Sequence, residues 1–211
     1  MQVVCEKLPG LRHRLNATNV TEDRFSNLVV LACHDLRTPL ATVHGFAHTL
    51  ARLELDETAV RYVGMISAAT AQLAELIDQL ALAARIEAGR YDPVRREIDT
   101  LELARAAAAG LGDEGVEVDG EGTTLEADAD ATERAVAALA RCALRHGGLE
   151  RVRLRVSGEE LELSPVTAAS APVLLGEDLR DLGAAVAVRA LRAQGGSVEL
   201  DGETFRIALP R

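Results

Sequence analysis

Apolar residues recur every seven positions in the early part of the chain. Phe25, Ala32, Pro39 and Phe46 form one row, and Val29, Leu36, Val43 and Leu50 form a second, offset by four. Two such rows make a coiled-coil-like seam along one long helix. After a turn at residues 53–58, a spacing of four and three resumes through Tyr62, Ile66, Ala69, Leu73, Leu76, Leu80 and Ala83. Asp56 is placed to cap this second helix, Glu57 suits its first turn, and Gly89 marks its end. Two long helices joined by a short turn predict an antiparallel hairpin. Its seam is half covered in one chain and buried in a homodimeric four-helix bundle.

From about Arg95 the pattern shortens and alternates. Ile98-Asp99-Thr100-Leu101-Glu102-Leu103 leads into an Ala-rich helix, and Leu125-Glu126-Ala127-Asp128 reads as a strand and turn. Helices are expected at residues 131–145 and 182–193. Strands are expected at residues 152–156 and 161–163, with two more in the stretches 197–200 and 204–209. This order predicts an α/β sandwich, one mixed sheet with helices on one side. The expected division is an N-terminal extension at 1–21, a helical hairpin at 22–90 and the α/β domain at 95–211.

The first helix carries the candidate chemistry. With Val29, Leu36, Val43 and Leu50 at the a positions, His34 falls at f, furthest from the seam. Thr38, four residues on, shares its face, and Asp35 points toward the flank. Pro39 has no N–H to offer the Asp35 carbonyl, so a bend or loosening is expected just after the histidine. His44 and His48 stand at the i, i+4 spacing of a ligand pair. No Cys, Asp or Glu accompanies them at ligand spacing, and they read as solvated surface residues.

The run His34-Asp35-Leu36-Arg37-Thr38-Pro39-Leu40 resembles the H box of two-component sensor histidine kinases. Leu73-Ala74-Glu75-Leu76-Ile77-Asp78-Gln79-Leu80 and Ala84-Arg85-Ile86-Glu87-Ala88-Gly89 resemble the second helix of the same dimerisation and histidine-phosphotransfer domain. The α/β part is similar in outline to the family's ATP-binding catalytic domain. The resemblance implies site residues His34, Asp35, Arg37, Thr38 and Pro39. His34 would be the phosphoacceptor and Asp35 the carboxylate that takes the proton of its other ring nitrogen. Thr38 would orient a water that dephosphorylates a partner's aspartyl-phosphate. Its alternative is a bond back to the helix carbonyl of His34 or Asp35.

The same comparison of motifs finds the nucleotide site degenerate. Where the family places asparagines that help hold Mg²⁺ and triphosphate, this chain has Ala138 and Cys142, neither of them a hard oxygen ligand. The family's Asp-x-Gly-x-Gly has no counterpart in Leu161-Glu162-Leu163-Ser164-Pro165-Val166-Thr167-Ala168. Its later Gly-x-Gly becomes Asp181-Leu182-Gly183, with a carboxylate at the helix N-terminus where phosphate should dock. Only residues 168–180 remain for the lid. No cofactor is therefore expected, and ATP with Mg²⁺ would be needed only if the chain were a working kinase.

Composition narrows the setting. A net charge of −10 over 211 residues argues against nucleic acid or an anionic membrane as main partner. With 48% hydrophobic but only 2% aromatic residues, the cores should be built from Leu, Val and Ala. No apolar run of membrane-spanning length or signal-peptide stretch is seen, so a cytoplasmic protein is expected. Cys5, Cys33 and Cys142 read as reduced thiols without disulfide or metal spacing, and no metal site is expected. Cys33, beside His34, reads as a small apolar flank residue in preference to a redox switch. The sequons at Asn16 and Asn19 read as chance or a local helix start.

Three functions fit. The first is a dimeric histidine phosphotransferase exchanging a phosphoryl group between His34 and the receiver domain of a response regulator. The others are an autophosphorylating kinase with an unusual ATP site and a non-enzymatic scaffold.

Overall fold

The computed structural model describes residues 9–53, 55–112 and 115–209, without the side chains of residues 9–25, 27 and 28. The readings of Cys5, of the Asn16 and Asn19 side chains, of Phe25 in the seam and of Glu54 in the turn lie outside the described residues.

Helix α1 (Pro9–Leu50) and helix α2 (Glu57–Glu87) form the hairpin. The first helix begins at Pro9, and no proline or glycine stands between Leu11 and Thr38 to interrupt it. It also continues through Pro39. Asp56 caps α2 by accepting from the Ala59 amide at 2.8 Å. Past the C-cap Ala88, Gly89 takes φ +63°, the left-handed turn that lets the chain leave the helix.

The two helices meet through rows of small residues. On α1, Ser26, Cys33 and Ala47 are buried and Leu40 is half-buried, seven residues apart throughout. Val63, Thr70 and Ala84 of α2 are buried and Ile77 is half-buried, at the same period. Cys33 is thus a packing residue. His44 is more than a solvated side chain, because its Nδ1 lies 2.9 Å from the Thr70 hydroxyl. That hydroxyl gives its one proton to the carbonyls of Ile66 and Ser67, so the imidazole N–H is the donor. The large apolar rows are left uncovered: Leu36, Val43, Phe46, Leu50, Tyr62, Ile66 and Leu73 are 42–67% exposed.

The α/β part begins with β1 (Arg96–Asp99), α3 (Thr100–Ala109), β2 (Val116–Gly122) and β3 (Thr124–Ala127). There follow α4 (Ala129–Gly147), β4 (Val152–Gly158), β5 (Glu160–Ser164), α5 (Ala171–Leu174), α6 (Leu182–Ala193), β6 (Ser197–Asp201) and β7 (Thr204–Ala208). One mixed sheet was expected. Among the described residues there are two: a five-stranded sheet ordered β2-β4-β5-β7-β6, and a separate antiparallel pair, β1 with β3. The separation is local. Asp99 ends β1 by capping α3, accepting from the Leu101 and Glu102 amides at 2.9 Å. Thr100 then anchors that corner to the large sheet, donating to the Gly158 carbonyl at 2.8 Å and accepting from the Thr123 amide at 2.9 Å.

Among the described strands only β2 and β4 are parallel; the other pairs are antiparallel. Val152, Leu154 and Val156 of β4 alternate inward, whereas Arg153 and Arg155 face water, so the helices cover one side only. Leu139, Leu154, Leu161, Leu163, Leu174, Leu191 and Ile207 are fully buried, and Phe205 is the one aromatic side chain in this core.

α2 packs against α6, holding the two parts together. Arg189 donates to Glu87 at 2.7 Å. Asp128 ties α4 to the linker between α2 and β1: one oxygen caps α4 through the Ala131 amide, and the other accepts from the Tyr91 hydroxyl at 3.0 Å and the Val94 amide at 3.2 Å. Among the described residues, no helix is long and apolar enough to cross a membrane.

Candidate functional site

His34 projects from the outer face of α1 with its side chain 75% exposed. It lines a cleft of about 1100 Å³ between the hairpin and the α/β part, together with Arg37, Asp78, Arg85, Arg134 and Arg141. Its Nδ1 lies 3.2 Å from Asp35 Oδ1. With the proton on Nδ1, the imidazole donates to Asp35 and its Nε2 keeps a free lone pair facing solvent. That is the arrangement of an attacking nitrogen.

Arg37 reaches across to α2, donating to Asp78 Oδ1 from Nε at 3.1 Å and from a terminal nitrogen at 2.6 Å. Both partners are about half exposed, so the pair orients more than it stabilises. Thr38 is exposed, one turn on from His34. The back-bond in this turn belongs to Thr42, whose hydroxyl donates to the Thr38 carbonyl at 3.1 Å. Pro39 is exposed inside the helix and leaves the Asp35 carbonyl without its usual N–H partner.

Of the second group of expected residues, Ala138 and Gly183 line the cleft, and Cys142 and Asp181 lie behind it. Cys142 on α4 is fully buried, and Asp181 is the buried N-cap of α6. Asp181 Oδ1 accepts from the Ala184 amide at 3.0 Å; Oδ2 accepts from Arg145 at 2.5 Å and lies 3.2 Å from His146 Nε2. Burial pushes this carboxyl upward, but the Ala184 amide, the Arg145 guanidinium and His146 outweigh it and hold it below the ordinary aspartate value. Burial, reinforced by the Asp181 charge and weakly opposed by Arg145 and Arg180, pushes the Cys142 thiol up to about 12. Gly183 serves packing: a Cβ there would lie 3.3 Å from Asp181 Oδ1, 3.5 Å from Ala138 Cβ and 3.6 Å from Gln79 Nε2 of α2.

The short segment expected as a reduced lid folds onto the core. Val173 and Leu174 of α5 are fully buried, packed against α4 and α6. Thr167 and Ser170 close the turn before it, hydroxyl to hydroxyl at 3.2 Å.

Tertiary structure thus joins Arg37 to Asp78 beside His34, and Cys142 and Asp181 to Arg145 and His146. Asp78, Arg145 and His146 were missed as site residues in the chain-order reading. His146 was legible there, one helical turn after Cys142; Asp78 becomes a partner only when the hairpin closes.

An exposed His34 beside Asp35 on a helical hairpin is followed by an α/β layer whose helices cover one side of its sheet. Residues 26–89 match the family described as His Kinase A (phospho-acceptor) domain. The chain is 32% identical over 88 residues to histidine kinase 3 of Arabidopsis thaliana, covering 42% of this chain and 8% of that protein. It is 30% identical over 100 residues to the probable sensor histidine kinase TcrY of Mycobacterium tuberculosis, covering 47% of this chain and 20% of that one. The chain therefore spans a fifth or less of the length of these relatives. Full-length ShkA, solved in complex with AMPPNP, superposes with TM-score 0.65 at 22% identity, over 86% of this chain and 44% of ShkA. The Acinetobacter baumannii histidine kinase AdeS superposes with TM-score 0.53 at 19% identity, over 83% and 96% of the two chains. Residues 26–89 are thus a His Kinase A (phospho-acceptor) domain, and the α/β domain that follows shares the fold of histidine kinase structures.

Proposed function

We propose that this protein is a dimeric histidine phosphotransferase, in which His34 takes a phosphoryl group from the aspartyl-phosphate of a receiver domain and returns it to a receiver aspartate. His34 Nε2 attacks phosphorus, an N–P bond forms, and the P–O bond to the aspartate carboxylate breaks. Asp35 holds the Nδ1 proton and stabilises the positive charge that develops on the ring. Thr38 orients water for the competing dephosphorylation. Both phosphorylated species are high-energy, so the exchange is near balance and needs no ATP.

The observation that carries this reading is the contrast between an exposed His34–Asp35 pair and a nucleotide position whose groups do not fit Mg²⁺ and triphosphate. Ala138 and the buried Cys142 offer no hard oxygen. The carboxylate of Asp181 occupies the α6 N-terminus, where it would repel phosphate. Val173 and Leu174 fill the space between α4 and α6. The uncovered apolar rows of the hairpin support a homodimer, and the cleft beside His34 suits a receiver. The likeness to ShkA favours a second reading, an ATP-dependent autokinase, through the shared fold.

One experiment separates them. The purified chain is incubated with labelled ATP and Mg²⁺, and separately with a labelled phospho-receiver. Label arriving only from the receiver, and lost in His34→Gln, is expected. Label from ATP would establish the kinase instead, and label from neither source would leave a scaffold.

A further inference from the structure

We propose that Cys142, His146 and Asp181 form a binding site for a borderline-soft divalent transition ion, with Zn²⁺ the best chemical fit. This goes beyond the reading of His34 and does not depend on it. The three side chains come from two elements: Cys142 and His146 stand one turn apart on α4, and Asp181 caps α6 opposite them. Their ligand atoms all lie within 4.8 Å of one another. Zinc bonds of about 2.0–2.3 Å place tetrahedral S, N and O ligands roughly 3.3–3.6 Å apart, so closure asks for shifts of up to about 1.5 Å. Side-chain rotation supplies that.

The surroundings suit such an ion. Cys142 and Asp181 are buried, and the His146 side chain is only 20% exposed, so water competes poorly for the position. The Ala184 amide already fixes Asp181 Oδ1, which leaves Oδ2 as a single oriented ligand oxygen. Arg145 now occupies that oxygen, but its side chain is 62% exposed and can swing into solvent. On binding, the thiol proton passes to water; thiolate, carboxylate and neutral imidazole then balance a divalent charge. A sulfur, a nitrogen and one oxygen select Zn²⁺ or Co²⁺ over Mg²⁺, which requires an oxygen shell. Three protein ligands leave a fourth position for water. Such an ion would pin the start of α6 to α4. The rival is a metal-free polar cap built from Arg145, Asp181 and His146.

Co²⁺ titration of the reduced full chain decides between them. In a Cys5→Ser/Cys33→Ala background, Cys142 is the one thiol left. One equivalent of Co²⁺ should produce a sulfur-to-cobalt charge-transfer band with intense four-coordinate visible bands. Zn²⁺ should displace it and a large excess of Mg²⁺ should not. Cys142→Ser should abolish the charge-transfer band, and His146→Gln should weaken binding at least about tenfold. Far-ultraviolet circular dichroism confirms that each variant is folded; His146→Gln, in the last turn of α4, serves if Cys142→Ser is not. The proposal is overturned if no Co²⁺ binds at micromolar concentration, if Mg²⁺ competes, or if His146→Gln binds as the parent does. It is equally overturned if the spectrum lacks the sulfur band and disappears in His44→Gln, which would put the ion on the His44 and His48 pair.

Discussion

His34 owes its reach to its place on α1, while the chemistry proposed for it depends on the carboxylate 3.2 Å from its Nδ1. Asp35→Asn keeps the helix and the exposure but offers a weaker acceptor to Nδ1–H. Label uptake from a phospho-receiver should therefore slow by about 10²–10⁴-fold in rapid-mixing assays, with circular dichroism unchanged. Tyr91 allows a pH prediction of a different kind. Burial, then the hydrogen bond to Asp128 and that carboxylate's charge, hold its phenol well above the ordinary tyrosine value, against weak opposition from Arg85 and Arg134. A folded-state value above the unfolded one means that this contribution is whole below about pH 10 and is lost as the pH rises further. Tyr91→Phe should cost about 1–2 kcal/mol at neutral pH, from the lost bond to a charged acceptor. It should also flatten the fall of stability above about pH 10, read from urea midpoints across that range.

Among the elements, α5 turns the stretch expected as a short lid into part of the core. Four residues, Ala171–Leu174, carry two fully buried side chains into the layer between α4 and α6. Leu174→Ala should lower stability by about 2–5 kcal/mol in chemical denaturation, because the surrounding helices cannot collapse fully onto the void. It should not create labelling from ATP. On the proposed reading the space between α4 and α6 is no nucleotide site, and Asp181 would still cap α6.

At the scale of the whole molecule, the hairpin presents two unlike faces. Small residues close α1 against α2, and the large apolar rows remain outside. A second copy packing these rows together buries them in a four-helix bundle, whereas a lone hairpin leaves a contiguous apolar stripe in water. Sedimentation at micromolar concentration should give a dimer, and Leu36→Glu with Leu76→Glu should give a monomer. A monomeric parent chain would remove the bundle from the account. The contact between hairpin and α/β domain is of another kind: Arg189 with Glu87 is an exposed pair, and Arg189→Ala should change stability by less than about 1 kcal/mol in the same denaturation assay.

The hairpin, the position of His34 on its outer face and most α/β elements were legible in the chain itself. Heptad spacing, caps such as Asp56 and alternation in residues 152–156 are local signals, and local signals survive in sequence. β2 was not seen, since Val116 and Val118 are its only apolar residues and a strand at a sheet edge needs no more. The split into two sheets, the burial of Val173 and Leu174, and the meeting of Arg37 with Asp78 were decided only in three dimensions. So was the gathering of Cys142, Arg145 and His146 around Asp181: the first three share one helix, but the fourth lies 35 or more residues away in the chain. Contacts across such distances depend on how helices dock over the sheet, and periodicity along the chain does not encode which faces will meet.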